Sequence, residues 1–427
     1  MKISPAKLVP AGLLLNYTLM AASFQSLGDL PGGTFASYAL GVSSNGQVVV
    51  GTSISDKGYE GFRWTATNGI TALGALPGGS FGSEAMAVSG DGNVIVGYTS
   101  SSAGYQGFRW TQAAGMVGLG DLPGGSFYSA AWGVNGDGSV IVGESSSTLA
   151  PSRDEAFRWT PTDGMVGLGF LPAGTNASTA YAVSADGAII VGYSRSSNST
   201  SGGAEAYRWT QGTGMLPLGD LSGGPSNSIA YGISADGSTI IGRGTPASSI
   251  EEAFRWTAQD SMSALGFLPC DTWSTAKAIS ADGSVIVGDP FQGSGDCVFI
   301  WDTQNGTRSL HEVLVALGVN LTGWQLSEAR AISANGNIIV GFGKNPSGQT
   351  EAWIANLSPP TLTGQLSGNK ILLSWPTNQT GFTLQIATNL VSPVTWVPSV
   401  NIPAVVGFEY FVTNNATLPA RFYRLSK

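Results

Sequence analysis

Apolar and polar positions in this chain recur as a unit. Each copy runs from a short strand of small residues to Asn-Gly or Asp-Gly, through an apolar run that ends in glycine, across a polar loop to Phe-Arg-Trp or a relative, and on to Leu-Gly. The second copy reads Ser83-Glu84-Ala85-Met86-Ala87-Val88, Asp91-Gly92, Val94-Ile95-Val96-Gly97, Phe108-Arg109-Trp110 and Leu119-Gly120. The dipeptide falls at Asn45-Gly46, Asp91-Gly92, Asp137-Gly138, Asp186-Gly187, Asp236-Gly237, Asp282-Gly283 and Asn335-Gly336, with spacings of 46, 46, 49, 50, 46 and 53 residues. Between strand-like runs, Asx-Gly predicts a hairpin with a type I′ turn. The unbroken second run (Val48-Val49-Val50, Val94-Ile95-Val96, Ile189-Ile190-Val191) predicts a strand buried on both faces. Aromatics at i and i+2 share one face of the third strand, and the Leu-Gly segment forms a fourth. Four strands per unit at a period near ~50 residues predict an all-β, seven-bladed β-propeller.

Strand bookkeeping predicts how the ring closes. Phe24 to Gly33 holds a lone fourth strand, while the seventh unit stops at its third strand near Trp353, so the N-terminal strand is expected to complete the last blade and remove a free edge. Between Ser309 and Gly318 the period shifts to i, i+4, i+7 behind a Ser309/Glu312 capping box, which predicts a short helix with His311 on its first turn. The repeat domain therefore spans 24–357. After Pro359-Pro360, strand-like runs at 371–375, 382–386, 394–397, 408–412 and 421–425 predict a small antiparallel β-sandwich over 358–427.

Composition narrows the function. Charged residues make up 11% of the 427 while Gly numbers 61, a balance that favours turns over helical surface. The net charge of −8, without a Lys/Arg cluster, argues against nucleic acid. Lys2 and Lys7, an apolar stretch from Leu8 to Met20 and Ala21-Ala22-Ser23 form the pattern of a signal peptide over 1–23, too short and too interrupted for a spanning anchor. A secreted or cell-surface protein, monomeric and not inserted in a membrane, is expected. Cys270 and Cys297 share the sixth unit and could form a disulfide or remain two buried thiols.

The search for chemistry is largely negative. Trp64, Trp110, Trp159, Trp209, Trp256, Trp301 and Trp353 form a once-per-unit ladder that reads as packing between blades rather than a ligand-stacking stripe. Arg63, Arg109, Arg158, Arg208 and Arg255 point the other way and read as structural. Asn135 to Gly138 resembles a calcium loop, but Ser139, Val140 and Ile141 stand where further carboxylates would be needed. No nucleophile elbow, phosphate loop or His-Glu-x-x-His occurs, and no cofactor or metal is expected.

The unit resembles the HAF-repeat family of bacterial extracellular proteins over residues 24–357, through its Leu-Gly, Gly-Gly, Asx-Gly and Val-Val-Gly elements. At the family's His-Ala-Phe position stand Glu60-Gly61-Phe62, Gln106-Gly107-Phe108, Glu155-Ala156-Phe157, Glu205-Ala206-Tyr207, Glu252-Ala253-Phe254, Cys297-Val298-Phe299 and Glu351-Ala352-Trp353, so the His is missing from every copy. The resemblance implies extracellular repeat architecture and no reaction. The C-terminal segment is similar to a fibronectin type III module, which implies a spacer or adhesive role. The expectation is a non-enzymatic binding or adhesion scaffold for an extracellular glycan or protein. The alternative is a secreted glycan-active hydrolase or lyase with carboxylates in the axial cleft, a reading that an end lined only by Gly, Ser and Ala would remove.

Overall fold

The computed structural model describes residues 22–426 apart from 80–81, 173, 175, 197–202, 225–226, 249, 291–295, 359–361, 377–382, 389–393, 407–408 and 416–420. Almost all of the signal-peptide segment, the Pro359-Pro360 linker, and Phe382 and Phe408 in the sandwich strands lie outside the described residues. The chain divides into two compact units, one holding Phe24–Val313 with Leu321–Ala355, the other Leu314–Asn320 with the segment from Asn356 onward.

The repeat forms antiparallel four-stranded meanders. In the first, Gly32–Val42, Val49–Ser55, Gly58–Thr65 and Gly69–Ala72 pair in chain order. The second and third units join into one eight-stranded sheet through Tyr128 and Tyr105. The second strands are buried on both faces, as their unbroken apolar runs require: Val49, Val50, Ile95, Val96, Ile190 and Val191 have no exposed surface. Neighbouring meanders share cores, Val48 and Val50 meeting Ala85, Ile95 and Phe108 of the next unit. The strand Ser23–Ser26 lies beside Thr350–Asn356 of the last meander, and Leu27 N donates to Ala352 O at 2.9 Å. Leu27, Leu30, Val49 and Phe62 of the first unit pack with Val340 and Ala352 of the last.

The Asx-Gly turn departs from the type I′ expectation. Every glycine of the seven dipeptides has positive φ, but none of the Asn or Asp residues does. Gly46 N donates to Ser43 O and Ser43 N to Val48 O, both at 2.9 Å, giving a four-residue loop. The serine before the dipeptide explains the difference. Ser43 Oγ donates to Asn45 Oδ1 at 2.8 Å and accepts from Val48 N at 3.0 Å, so the Asx side chain is held by a local network and its backbone stays right-handed. The same bond from Ser184, Ser234 and Ser280 holds the carboxyls of Asp186, Asp236 and Asp282 below the usual range.

These turns also bond to one another. Ser44 N donates to Gly90 O, Asp91 N to Gly136 O, Gly136 N to Ala185 O, Ala185 N to Ala235 O, Ala235 N to Ala281 O, Ala281 N to Ala334 O and Ala334 N back to Ser44 O, at 2.9–3.3 Å. A second link is a serine at the first strand of the first six units. Ser178 Oγ accepts from Ala156 N at 2.9 Å and donates to Gly169 O at 2.7 Å; Ser37 does the same with Ala352 N and Gly28 O at 2.9 and 2.6 Å. The glutamate that stands at the missing His position ties down the exit of the fourth strand. Glu155 Oε1 accepts from Gly169 N at 3.1 Å, and Glu252 Oε1 accepts from Gly266 N at 2.9 Å. Gly97 is fixed by close approach, since a Cβ there would lie 1.8 Å from Glu84 O.

Cys270 and Cys297 form a disulfide with Cα atoms 6.1 Å apart. The helix covers Leu310–Ala316, and Ser309 Oγ accepts from Glu312 N at 3.3 Å. The second unit carries two sheets, one of Thr363–Ser367, Lys370–Pro376, Glu409–Asn415 and Ala404–Val406, the other of Val397–Pro398, Thr383–Ala387 and Phe422–Ser426. Leu373, Trp375 and Val412 from the first meet Leu384 from the second in a shared core. Among the described residues, no helix is long and apolar enough to cross a membrane.

Ser178→Ala strands a buried backbone donor and acceptor and is expected to cost about 2–3 kcal/mol, read as a lowered urea midpoint with an unchanged slope. Replacing both cysteines by serine opens a loop with a sequence separation of 27. Loop entropy sets that loss at about 3–4 kcal/mol, so the melting temperature of the double variant falls by several degrees, whereas two independent thiols would leave it nearly unchanged.

Candidate binding site

Two positions per unit escape the repeat. The first lies in the first strand among small residues and holds Leu40, Met86, Trp132, Tyr181, Tyr231, Lys277 and Arg330. The second follows the repeated glycine of the second strand and holds Thr52, Tyr98, Glu144, Tyr193, Arg243, Asp289 and Phe342. The ladder pairs the second position with the residue two before the first: Glu84 with Tyr98, Ala130 with Glu144, Thr179 with Tyr193, Ile229 with Arg243 and Thr275 with Asp289. Alternation turns these side chains away from the repeated alanines, which have little or no exposed surface.

First strands of five units line one cavity of about 220 Å³, with Leu40, Met86, Trp132, Tyr181 and Ala331 in its wall. Aromatic rings continue around it: Tyr98 meets Trp132 edge-on at 5.7 Å, Trp132 meets Tyr181 at 6.1 Å, and Tyr181 meets Tyr231 at 5.2 Å. Behind the rings lies Glu144, which accepts hydrogen bonds from Thr179 Oγ1 at 2.5 Å and Tyr128 Oη at 3.2 Å. Burial pushes its carboxyl above the usual range despite those bonds.

A second cavity of about 250 Å³ is lined by Tyr231, Arg243, Thr275, Lys277, Asp289 and Glu328, with Pro290 beside them. Most of its charges are matched. Arg243 is paired with Glu251, which also accepts from Asn227 Nδ2 at 3.2 Å, and Arg330 is paired with Glu328 at 3.0 Å. Lys277 and Asp289 differ. Lys277 Nζ stands 3.8 Å from Asp289 Oδ1, longer than a hydrogen bond, and 5.0 Å from the Tyr231 ring centroid. Asp289 is 3% exposed, and its Oδ2 has no hydrogen-bond partner among the described residues. Burial pushes Asp289 up to about 7, and burial also pulls Lys277 down. The lysine opposes the shift of Asp289, and burial wins because the 3.8 Å gap supplies no hydrogen bond to replace lost hydration.

The residues singled out in the sequence lie elsewhere. Phe62, Phe108, Phe157 and Phe254 have no exposed surface and pack between meanders with Trp64, Trp110, Trp159 and Trp256 alongside; Tyr207 and Phe299 do so with Trp209 and Trp301. Trp353 is fully buried, with its ring 5.7 Å from Phe24. Arg158 and Arg255 reach Asp163 and Asp260 at 3.8 Å. The disulfide brackets the hairpin that carries Lys277 and Asp289, since both lie between Cys270 and Cys297. Among the described residues, no three His, Cys, Asp or Glu side chains gather as a metal site. Sequence reasoning missed the cavity residues, although a signal was present: the non-repeating residue set among small ones, and the one after the repeated glycine.

No protein-family model matches the sequence, and no curated protein matches it. Solved structures do. The β-propeller domain of the Trilobed protease from Pyrococcus furiosus, described as having an open velcro topology, is similar at 14% identity with a TM-score of 0.51, over 76% of this chain and 97% of that one. Puromycin hydrolase matches at 13% identity and a TM-score of 0.48, over 82% and 60% of the two chains. TolB from Acinetobacter baumannii matches at 14% identity and 0.43, over 64% of this chain and 62% of its own, so this chain spans about three fifths of that protein's length. The first likeness shows the fold alone: the repeat domain is a β-propeller.

The raised carboxyl of Asp289 has a consequence for stability. A folded-state value above the unfolded one favours the protonated form, so its contribution is complete below about pH 4 and is lost as pH rises through about 7. Thermal unfolding followed from pH 4 to 8 is expected to show a smaller decline for Asp289→Asn than for the wild-type chain; equal declines would contradict the assignment.

Proposed function

We propose that this protein is a secreted or cell-surface binding module, with a seven-bladed β-propeller closed by its N-terminal strand, a ligand seat at the ring axis and a fibronectin type III-like C-terminal module that spaces or anchors it. The observation that carries the reading is where the variation lies. Residues that repeat hold the blades together, and residues that do not repeat converge on two central cavities. Closure is supported by the Ala334-to-Ser44 hydrogen bond and by the strand Ser23–Ser26 beside Thr350–Asn356, which differs from the open topology described for the Trilobed protease domain. Export is supported by the N-terminal sequence pattern, and a disulfide suits an oxidising compartment.

Binding is preferred to hydrolysis on the chemistry of the carboxylates. The cavity is not lined only by Gly, Ser and Ala, but of its described carboxyls Glu328 is committed to Arg330, which leaves Asp289 alone without a cation in hydrogen-bond reach. A glycosidase needs an acid and a second, uncommitted carboxylate. Aromatic faces beside hydrogen-bonding groups suit recognition of a partly apolar, partly polar ligand.

The test is a printed glycan array run beside a displayed peptide library, using the full chain and the variants Tyr181→Ala and Trp132→Ala. Binding to one ligand class, weakened ~tenfold or more in the variants with secondary structure retained, is the expected result. Binding that survives both substitutions would place the ligand site elsewhere.

A further inference from the structure

We infer that the cavity at Lys277 and Asp289 takes one sugar ring at the end of a glycan, through two neighbouring hydroxyl groups. The inference rests on the axial binding-module reading and names its ligand class. Of the groups lining the cavity, Arg243 and Glu328 are already committed to Glu251 and Arg330. What remains is an ammonium and a carboxyl group side by side, too far apart to satisfy each other at 3.8 Å, with one carboxyl oxygen unpartnered among the described residues. The ammonium and Oδ1 line the cavity without a hydrogen bond to each other, which leaves both to a ligand group.

The complement of such a pair is a group that both donates and accepts. A carboxylate ligand would satisfy Lys277 but face Asp289 only in its protonated form, and an ammonium ligand would bring a like charge against Lys277. A hydroxyl carries no charge, accepts from the ammonium and donates to the carboxylate. One hydroxyl can bridge the 3.8 Å between them, and two adjacent hydroxyls on one ring give the ammonium and the carboxyl a partner each. Asp289 Oδ2 is enclosed, so the oxygen open to a ligand hydroxyl is Oδ1, which faces Lys277.

Shape agrees with this. The volume of about 250 Å³ falls below the ~300–1,000 Å³ of sites for drug-sized ligands, so one ring fits and an oligosaccharide does not. Tyr231 lines the same cavity and continues into the aromatic wall of Tyr181 and Trp132, which offers ring faces to the C–H surface of a sugar. Thr275, across the ladder from Asp289, adds a hydroxyl-bearing side chain to the lining.

The experiment uses methyl glycosides of glucose, galactose, mannose, xylose and fucose, each with its monodeoxy analogues, in saturation-transfer NMR and calorimetry with the full chain. At least one glycoside is expected to bind at millimolar strength. Its affinity falls ~10-fold or more in Asp289→Asn and in Lys277→Gln, since each removes a charge-assisted hydrogen bond, and removing either bridging hydroxyl has the same effect. Tyr59→Ser, at a residue 52% exposed away from the cavity, leaves binding unchanged. If Lys277→Gln unfolds the chain, Asp289→Asn and the deoxy analogues decide the matter alone. If no glycoside binds, but selected peptides bind and are lost in the same variants, the ligand class is wrong and the binding-module reading stands. Glycoside binding indifferent to both variants overturns the site, and a wild-type chain that binds neither class overturns the binding-module reading itself.

Discussion

The repeat domain depends on backbone hydrogen bonds passed from each hairpin turn to the next. A four-stranded meander cannot bury both faces of its own sheet, and its first and last neighbours would each leave an edge open. Here the turn that reverses the chain also supplies the link between units, because its second residue accepts from the preceding turn and, except in the second unit where Asp91 does so, donates to the following one. A serine at the first strand of the first six units adds a second link, joining an amide of the preceding unit to a carbonyl at that unit's exit. Each link is an ordinary hydrogen bond of about 1 kcal/mol net; the linking turn residues are exposed or half-buried, whereas the amides held by the serines are buried, so losing a serine leaves a donor unsatisfied. The regularity of the sequence follows from that constraint.

Regular blades free a small set of positions. A packed strand dictates its buried face, so Ala85, Val96 and Phe108 have few alternatives, whereas the residue turned toward the cavities is constrained only by its neighbours in adjoining units. That is where the chain changes character from unit to unit, from Met86 and Trp132 through Tyr181 and Tyr231 to Lys277 and Arg330. One arc is aromatic and the other charged. The disulfide lies across the charged arc, in the unit whose preceding loop carries Cys270 and whose third strand follows Cys297. Where Glu155 and Glu252 stand at the missing His position and accept from an amide of the strand exit, this unit has Cys297 in a disulfide with Cys270.

Much of this is legible in the sequence because it is periodic. The Asx-Gly count, the doubly buried second strands, the Phe and Trp shared face, and the lone strand at Phe24 all come from pattern and elementary strand geometry. The turn type is misread because the dipeptide rule considers two residues, while the serine two positions earlier decides the backbone. The engaged glutamates pass unremarked because a buried carboxylate is normally unfavourable, and nothing local shows that the amide of Gly169 or Gly266 will satisfy it. The cavity residues are hidden for a different reason: they come from separate units some fifty residues apart, and only the curvature of the whole array brings Tyr231 and Asp289 to one cavity.

One uninterrupted set of inter-unit hydrogen bonds, joining last unit to first, thus holds the scaffold on which the variable positions stand. Hydrogen–deuterium exchange of the full chain is the sharpest check of that statement. Peptides covering the turn amides of Ala334, Ala281 and Ser44, and the Ala352 amide bonded to Ser37, are expected to exchange together and only with global unfolding. Rapid exchange at Ala334 and Ala352, with Ala281 and Ala235 still protected, would mean that the last unit opens from the first and that the set is broken at the junction.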